Sequence, residues 1–174
     1  MADAAGRVPL VLDGPDVREA DPYELLVGYL DWYRETLTRK LAGLSDTQLR
    51  TPVEPFGWAP LGLVRHLGWV ERRWLRWGFA AQDVVAYPPG GDPQEWSVVG
   101  HDDVWAGYLS EVRQGKVIVA DARLTDVSQV GGRFKTEADA PTLGRILFHL
   151  LQEYARHMGQ LDVVRELLDG STGE

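Results

Sequence analysis

Four histidines stand in this chain, and two of them flank a glutamate at equal steps: His149, Glu153 and His157. Each step of four residues drifts only about 40° around a helix, so the three share one side. The apolar stripe of the same segment centres on Leu143, Tyr154 and Leu161. Glu153 then lies about 80° from the middle of that stripe and His157 about 40°. A carboxylate at the shoulder of a core stripe needs a partner, because burying its charge alone is costly. Glu and His at i and i+4 can chelate one divalent ion, with a third ligand supplied from elsewhere. His149 is a poor third ligand, since eight helical residues separate it from His157 by about 12 Å while zinc–nitrogen bonds run to about 2.0–2.1 Å. His66, on the flank of another apolar stripe, fits better. Two His and one carboxylate with an open fourth position form a catalytic zinc pattern, and the same ligands suit nickel or ferrous iron. Spacing alone leaves plainer alternatives open: an ion pair of Glu153 with Arg156 or Arg65, hydrogen-bonded core imidazoles at His66 and His157, and a structural His149. His101, beside two Asp at a helix start, reads as a solvated residue.

Helices must position these side chains. The first is predicted to open at Asp21-Pro22, a capping residue followed by Pro at the first helical position. It carries Leu25, Leu26, Tyr29, Leu30, Tyr33, Leu37 and Leu41 and fades at Gly43. Ser45 to Gln48 reads as a capping box that opens one short turn before Pro52. Pro60 starts the second long helix, with Leu63, Leu67, Val70, Trp74 and Trp77 as its stripe, ending between Gly78 and Ala81. The Pro- and Gly-rich stretch 82–100 is predicted to be a long irregular connection, and such loops are often functional; Tyr87 and Trp96 make it a candidate pocket wall or lid. Asp102 or Asp103 caps the third long helix, which runs to about residue 122 with Gly115 a weak point. A Gly131-Gly132 turn and a short extended piece follow. Pro141 opens the last helix and Gly170 ends it in the left-handed manner. The pattern predicts an all-α chain, a four-helix bundle with a long crossover loop, over residues 21–170. Residues 1–20 form an N-terminal extension and 171–174 a tail. The seven Trp predict an aromatic-heavy interior or pocket.

Composition narrows the field. The chain has 174 residues, one domain by length. It carries 26 Asp plus Glu against 18 Lys plus Arg, a formal net charge of −8. Nucleic acid is therefore not an expected partner. Met1 to Leu12 lacks the apolar run of a secretory signal, and no stretch approaches a membrane span, so a cytoplasmic protein with no membrane partner is expected. With no Cys there is no disulfide, thiolate metal site or cysteine nucleophile.

Three segments carry a family resemblance: Leu26-Val-Gly-Tyr-Leu-Asp-Trp-Tyr33, Leu61-Gly-Leu-Val-Arg-His66-Leu, and His149 to Gln160 with its Glu153-xxx-His157-Met-Gly159-Gln160 pattern. Over about residues 20–170 the sequence resembles the DinB-like (DinB/YfiT-like) metalloenzyme superfamily, most closely its actinobacterial mini-circle-protein branch. The resemblance implies a four-helix bundle with a metal triad, one ligand on the second helix and two on the fourth. Carried over, these are His66, Glu153 and His157. The usual triad is three His, so Glu153 is a departure. A His-Glu-His set is nevertheless similar to that of the mycothiol-dependent maleylpyruvate isomerase, which shares the fold and binds zinc.

The resemblance implies zinc, nickel or another divalent metal, together with a low-molecular-weight thiol such as mycothiol that attacks an electrophilic substrate. The expected activity is a thiol-dependent S-transferase or isomerase. Arg156, Gln160 and His149 are candidates for contacting the ligands or the cofactor. Lacking Cys, the protein must receive any reacting sulfur from outside. Two alternatives stand beside this one: metal-assisted hydrolysis, and a non-enzymatic, stress-linked metal-binding protein. Bundles of this size often pair, so a homodimer is a further expectation.

Overall fold

A computed structural model describes residues 14–100 and 103–172. The expectations for Met1 to Leu12, His101 and Asp102 fall outside these residues. The chain is all-α, with α1 at Pro22–Leu41, α2 at Asp46–Arg50, α3 at Pro60–Glu71, α4 at Val104–Val119 and α5 at Leu143–Asp169. Helix α1 packs along α5, α3 packs along α4, and contacts between α3 and α5 join the two pairs. No strand occurs among the described residues. The extended piece expected after Gly131-Gly132 amounts to a single bridge between Val127 and Thr142. No described helix is long and apolar enough to cross a membrane.

Local chemistry explains most helix ends. The Asp21 carboxylate accepts from the Tyr23 and Glu24 amides at 2.8 and 3.1 Å, with Pro22 leading the helix. Ser45 and Gln48 cap α2 reciprocally. Gly170, at φ 76°, ends α5 in the left-handed conformation that glycine adopts without strain. Other ends differ from expectation. Asp103 stands at the start of α4 but makes no side-chain cap. Helix α4 stops at Val119, where the Ala122 amide turns back to the Val119 carbonyl at 3.1 Å. Helix α5 starts at Leu143 rather than Pro141 and is capped by Thr142, because the Pro141 carbonyl is taken by the Ser128 amide and hydroxyl at 2.9 and 2.8 Å.

Beyond Glu71 the second long helix widens into a π-helical segment, Arg72–Phe79, with the Ala80 amide donating to the Leu75 carbonyl at 2.9 Å. Such segments carry more residues per turn and often sit at functional sites. Here the widening rotates the stripe. Leu75 continues the buried face of Leu63, Leu67 and Val70, while Trp74 and Trp77, expected in that stripe, are only half-buried. None of the seven Trp is fully buried, so the aromatic core is Tyr108 and Tyr154.

Glycines permit the closest approaches. A Cβ on Gly62 would stand 2.5 Å from the Trp96 carbonyl oxygen, so the short 3₁₀ turn Asp92–Trp96 lies directly on α3. Gly115 is no weak point, since α4 continues through it; a Cβ there would meet Leu75 Cδ1 at 2.6 Å.

One buried polar group spans all four long helices. Glu71 of α3 accepts from Arg34 Nε and Nη2 of α1 at 2.9 and 2.7 Å and from the Tyr154 hydroxyl of α5 at 2.8 Å, all on Oε1. Tyr108 of α4 reaches the Tyr154 hydroxyl at 3.0 Å. Burial and the Glu71 charge raise the Tyr154 pKa well above its ordinary value, so its hydroxyl keeps its proton and donates. Tyr108 must then donate to Tyr154. Burial opposes the Arg34 charge, but Glu71 outweighs it and raises the pKa.

Two stability changes follow. Gly62→Ala gains about 1 kcal/mol of helix preference but forces a backbone clash of about 1–3 kcal/mol, for a net loss of about 1 kcal/mol by urea denaturation. Arg34→Met strands the buried Glu71 charge and costs about 3–5 kcal/mol; adding Glu71→Met recovers much of that loss in the same melts.

Candidate metal centre

Helices α3 and α5 bring three of the sequence-predicted residues together. His66, Glu153 and His157 each offer one ligand atom, and these atoms lie within 4.8 Å of one another. Each of the three side chains has its own orienting partner.

His66 Nδ1 lies 2.9 Å from Glu95 Oε2. A carboxylate accepts, so Nδ1–H donates, and in the neutral ring the lone pair stands on Nε2. Glu95 is buried and also accepts from Arg73, which holds Oε1 and reaches Oε2 at 3.2 Å. Burial works against the Glu95 charge, but the hydrogen bonds from His66 and Arg73 prevail and hold its carboxyl below the usual range.

His157 repeats the arrangement with an amide. Its Nδ1 lies 2.8 Å from Gln160 Oε1, a carbonyl oxygen that can only accept. Its Nε2 faces Glu153 Oε2 at 3.4 Å. With one proton on Nδ1, a nitrogen lone pair and a carboxylate oxygen therefore point at each other, an arrangement that requires a cation between them. A second proton on the ring or a metal ion both satisfy it. Two ligands about 2.1 Å from a tetrahedral metal stand about 3.4 Å apart, close to the observed gap.

Glu153 divides its oxygens, Oε2 towards His157 and Oε1 towards His149 Nε2 at 3.1 Å. With a proton on His157 Nε2, the hydrogen bond it gives, helped by the nearby His149 and His66, holds the Glu153 carboxyl below the usual range against the effect of burial. Burial lowers the His149 pKa, and the charges of Arg145 and Arg133 act in the same direction against the pull of Glu153. A neutral His149 donating through Nε2 fits this position. His149 thus stays out of the triad and steadies its carboxylate. The alternative pairing of Glu153 with arginine is not what the structure shows. Arg65 donates to the Gln94 carbonyl, and Arg156 is exposed, with no hydrogen bond or ion pair to the described residues.

Aromatic rings close one side. Trp96 stacks on His66 with ring centres 4.3 Å apart and meets His157 edge-on at 5.6 Å. Trp58 extends this wall at 5.6 Å from Trp96 and Phe56 at 5.7 Å from Trp58. The 82–100 connection therefore does supply a wall, through Trp96. Tyr87 lies further out, over the Arg73 guanidinium at 4.9 Å and against Trp77 at 6.2 Å. On the opposite side Trp74 packs on His149 at 4.1 Å.

Sequence reasoning missed Glu95 and Arg73. Glu95 lies in a segment without periodicity, and only the fold shows that this segment lies on α3 beside His66. The one available hint was an acidic residue beside the Trp already singled out.

The arrangement could hold a divalent cation at two imidazoles and one carboxylate. The comparison with curated proteins gives no match. Residues 25–170 match the family described as Mycothiol-S-transferase (MST), a DinB-like family, and this span includes all three triad positions and their partners. With most of its length covered, the chain belongs to the mycothiol S-transferase family.

Proposed function

We propose that this protein is a metal-dependent thiol S-transferase, with His66, Glu153 and His157 holding one divalent ion, zinc by preference, and mycothiol as the thiol. The observation that carries the reading is that every candidate ligand is fixed by its own neighbour: His66 by Glu95, His157 by Gln160 and Glu153 by His149. Metal-binding histidines almost always donate their second nitrogen in this way. Core imidazoles with a purely packing role have no need for lone pairs that converge on one carboxylate.

A metal held there would depress the pKa of an incoming thiol from its ordinary value near 8.5 and so supply a nucleophile at neutral pH. The chain's own residues set the conditions. Glu95 and Gln160 keep both Nδ1 protons in place and so present Nε2 as ligand. Arg73, in the π-helical segment that continues α3, holds Glu95, so one continuous helical run carries both the His66 ligand and the Arg that anchors its partner. Trp96 covers His66 and keeps water from that face. Glu153, as a carboxylate in place of the usual third His, lowers the net charge of the loaded site by one, which weakens its pull on anions. The family match favours transfer over hydrolysis, because it points to a thiol as reactant.

Elemental analysis and calorimetry test the centre. The wild type takes up one zinc per chain. Glu153→Ala weakens zinc binding by more than about 100-fold, and Gln160→Ala, which removes only the orienting oxygen, by about tenfold. Failure to take up stoichiometric metal after zinc loading ends this reading. Conjugation of mycothiol to a chromogenic electrophile checks the reaction: turnover requires the thiol, disappears with chelator and returns with zinc. Turnover of an ester without thiol points to hydrolysis instead.

A further inference from the structure

The outer face of α5 exposes apolar surface that no described residue covers. Helices α1 and α3 pack on the inner side of α5. On the outer side the exposed residues run from Phe148 through Gln152, Ala155 and Gly159 to Val163, at steps of three and four, so they form one seam along the helix. Phe148 is 61% exposed and Val163 45%. Arg145 and Glu166, also exposed, stand one step beyond at either end. The middle of the seam is small. A Cβ on Gly159 would meet nothing within 4 Å, whereas at Gly62 and Gly115 another segment stands 2.5 and 2.6 Å away. Glycine inside a helix costs about 1 kcal/mol relative to Ala, and at Gly159 no close approach within the described chain offsets it.

Turned end for end about an axis between Ala155 and Arg156, this seam matches itself. Two antiparallel copies of α5 set Phe148 level with Val163 of the second copy, Gln152 with Gly159, and Arg145 with Glu166, and each match is made twice. The first joins two apolar side chains. The second sets a long side chain against a missing one. The third opposes charges, and neither Arg145 nor Glu166 has an ion-pair partner among the described residues. Ala155 meets its own copy at the axis, small enough for the helices to approach to about 8 Å. A parallel pair would instead set Arg145 on Arg145 and Glu166 on Glu166. An antiparallel pair centred on Leu161 would match Arg156 with Glu166, but it would leave Phe148 beyond the end of the partner helix at Asp169.

We infer that the outer face of α5 is an interface between two copies of this chain, packed antiparallel about Ala155. The inference does not rest on the proposed chemistry. Glu153 and His157 lie about 120° and about 160° around the helix from the seam, so the interface leaves the candidate metal centre uncovered. One helix face of about 33 Å gives a small interface, below about 1,200 Å² in total, so the dimer is weak and forms at micromolar concentrations.

Sedimentation velocity on the full chain from about 1 to about 300 µM is the test. The wild type moves from 19.4 kDa towards twice that mass as concentration rises. Phe148→Glu weakens association at least about tenfold and keeps the helical circular dichroism of the wild type. Charge reversal reads the register: Arg145→Glu and Glu166→Arg each weaken the dimer about tenfold, and the double variant recovers to within about threefold. The chain has no Cys, so one introduced thiol reports one pair of positions. Ala155→Cys forms a covalent dimer on mild oxidation, while Val163→Cys, about 22 Å from its own copy in this register, does not. The cysteine pair also serves if Phe148→Glu fails to fold. A wild type that stays monomeric throughout overturns the interface and leaves this face to solvent or to a different protein. A dimer that tolerates Phe148→Glu and gives no Ala155→Cys link overturns it as well, because association then uses another face. A double charge variant as weak as the single ones overturns the antiparallel pairing.

Discussion

The buried carboxylate of Glu71 is the constraint on which the rest of the molecule depends. It takes Arg34 from α1, Tyr154 from α5 and, through Tyr154, Tyr108 from α4. An apolar interface tolerates a helix sliding by a fraction of a turn, because one leucine contact replaces another. A charge in a low-dielectric interior does not, since every alternative position leaves it without its partners. The network therefore specifies the relative heights of the four long helices. Glu153 adjoins Tyr154, and His66 lies little more than one turn before Glu71. Fixing Tyr154 against Glu71 therefore also fixes Glu153 and His157 against His66.

The π-helical segment that follows Glu71 is the second decisive element. It turns Leu75 into the core and leaves Arg73, Trp74 and Trp77 on the site side of the helix, where they meet Glu95, His149 and Tyr87. The 3₁₀ turn at Asp92–Trp96 then lies on Gly62 and delivers Glu95 and Trp96 to His66. The result is asymmetric. One side is roofed by stacked indoles over a buried ion pair, and the other carries His149 and Trp74 and is partly exposed. That asymmetry leaves His149 and Glu153 more exposed than His66 and His157.

Membership of a mycothiol S-transferase family gives the absence of Cys a consistent meaning. A protein that handles a small-molecule thiol needs no sulfur of its own. The departure of Glu153 from a three-histidine triad is consistent with the same chemistry. An anionic ligand would temper the charge of a loaded centre.

Much of this was legible in the sequence because it is local. Asp21-Pro22, the Ser45–Gln48 box and Gly170 act within a few residues of themselves, and their helix ends stand as expected. Periodicity placed His149, Glu153 and His157 on one side of α5, and with His66 identified the residues that do converge. Where local rules compete with packing, they misled. The 3.6-residue period carried Trp74 and Trp77 into the core, and the wider turn of the π-segment takes them out while Leu75 packs against Gly115. The sequence by itself determined an all-helical chain and the set of residues able to ligate. Tertiary structure alone decided which ring nitrogens are free, that the carboxylate of Glu71 is buried, and that Glu95 belongs beside the site. Those facts depend on close approaches between segments far apart in the chain, and no spacing along the chain encodes such distances.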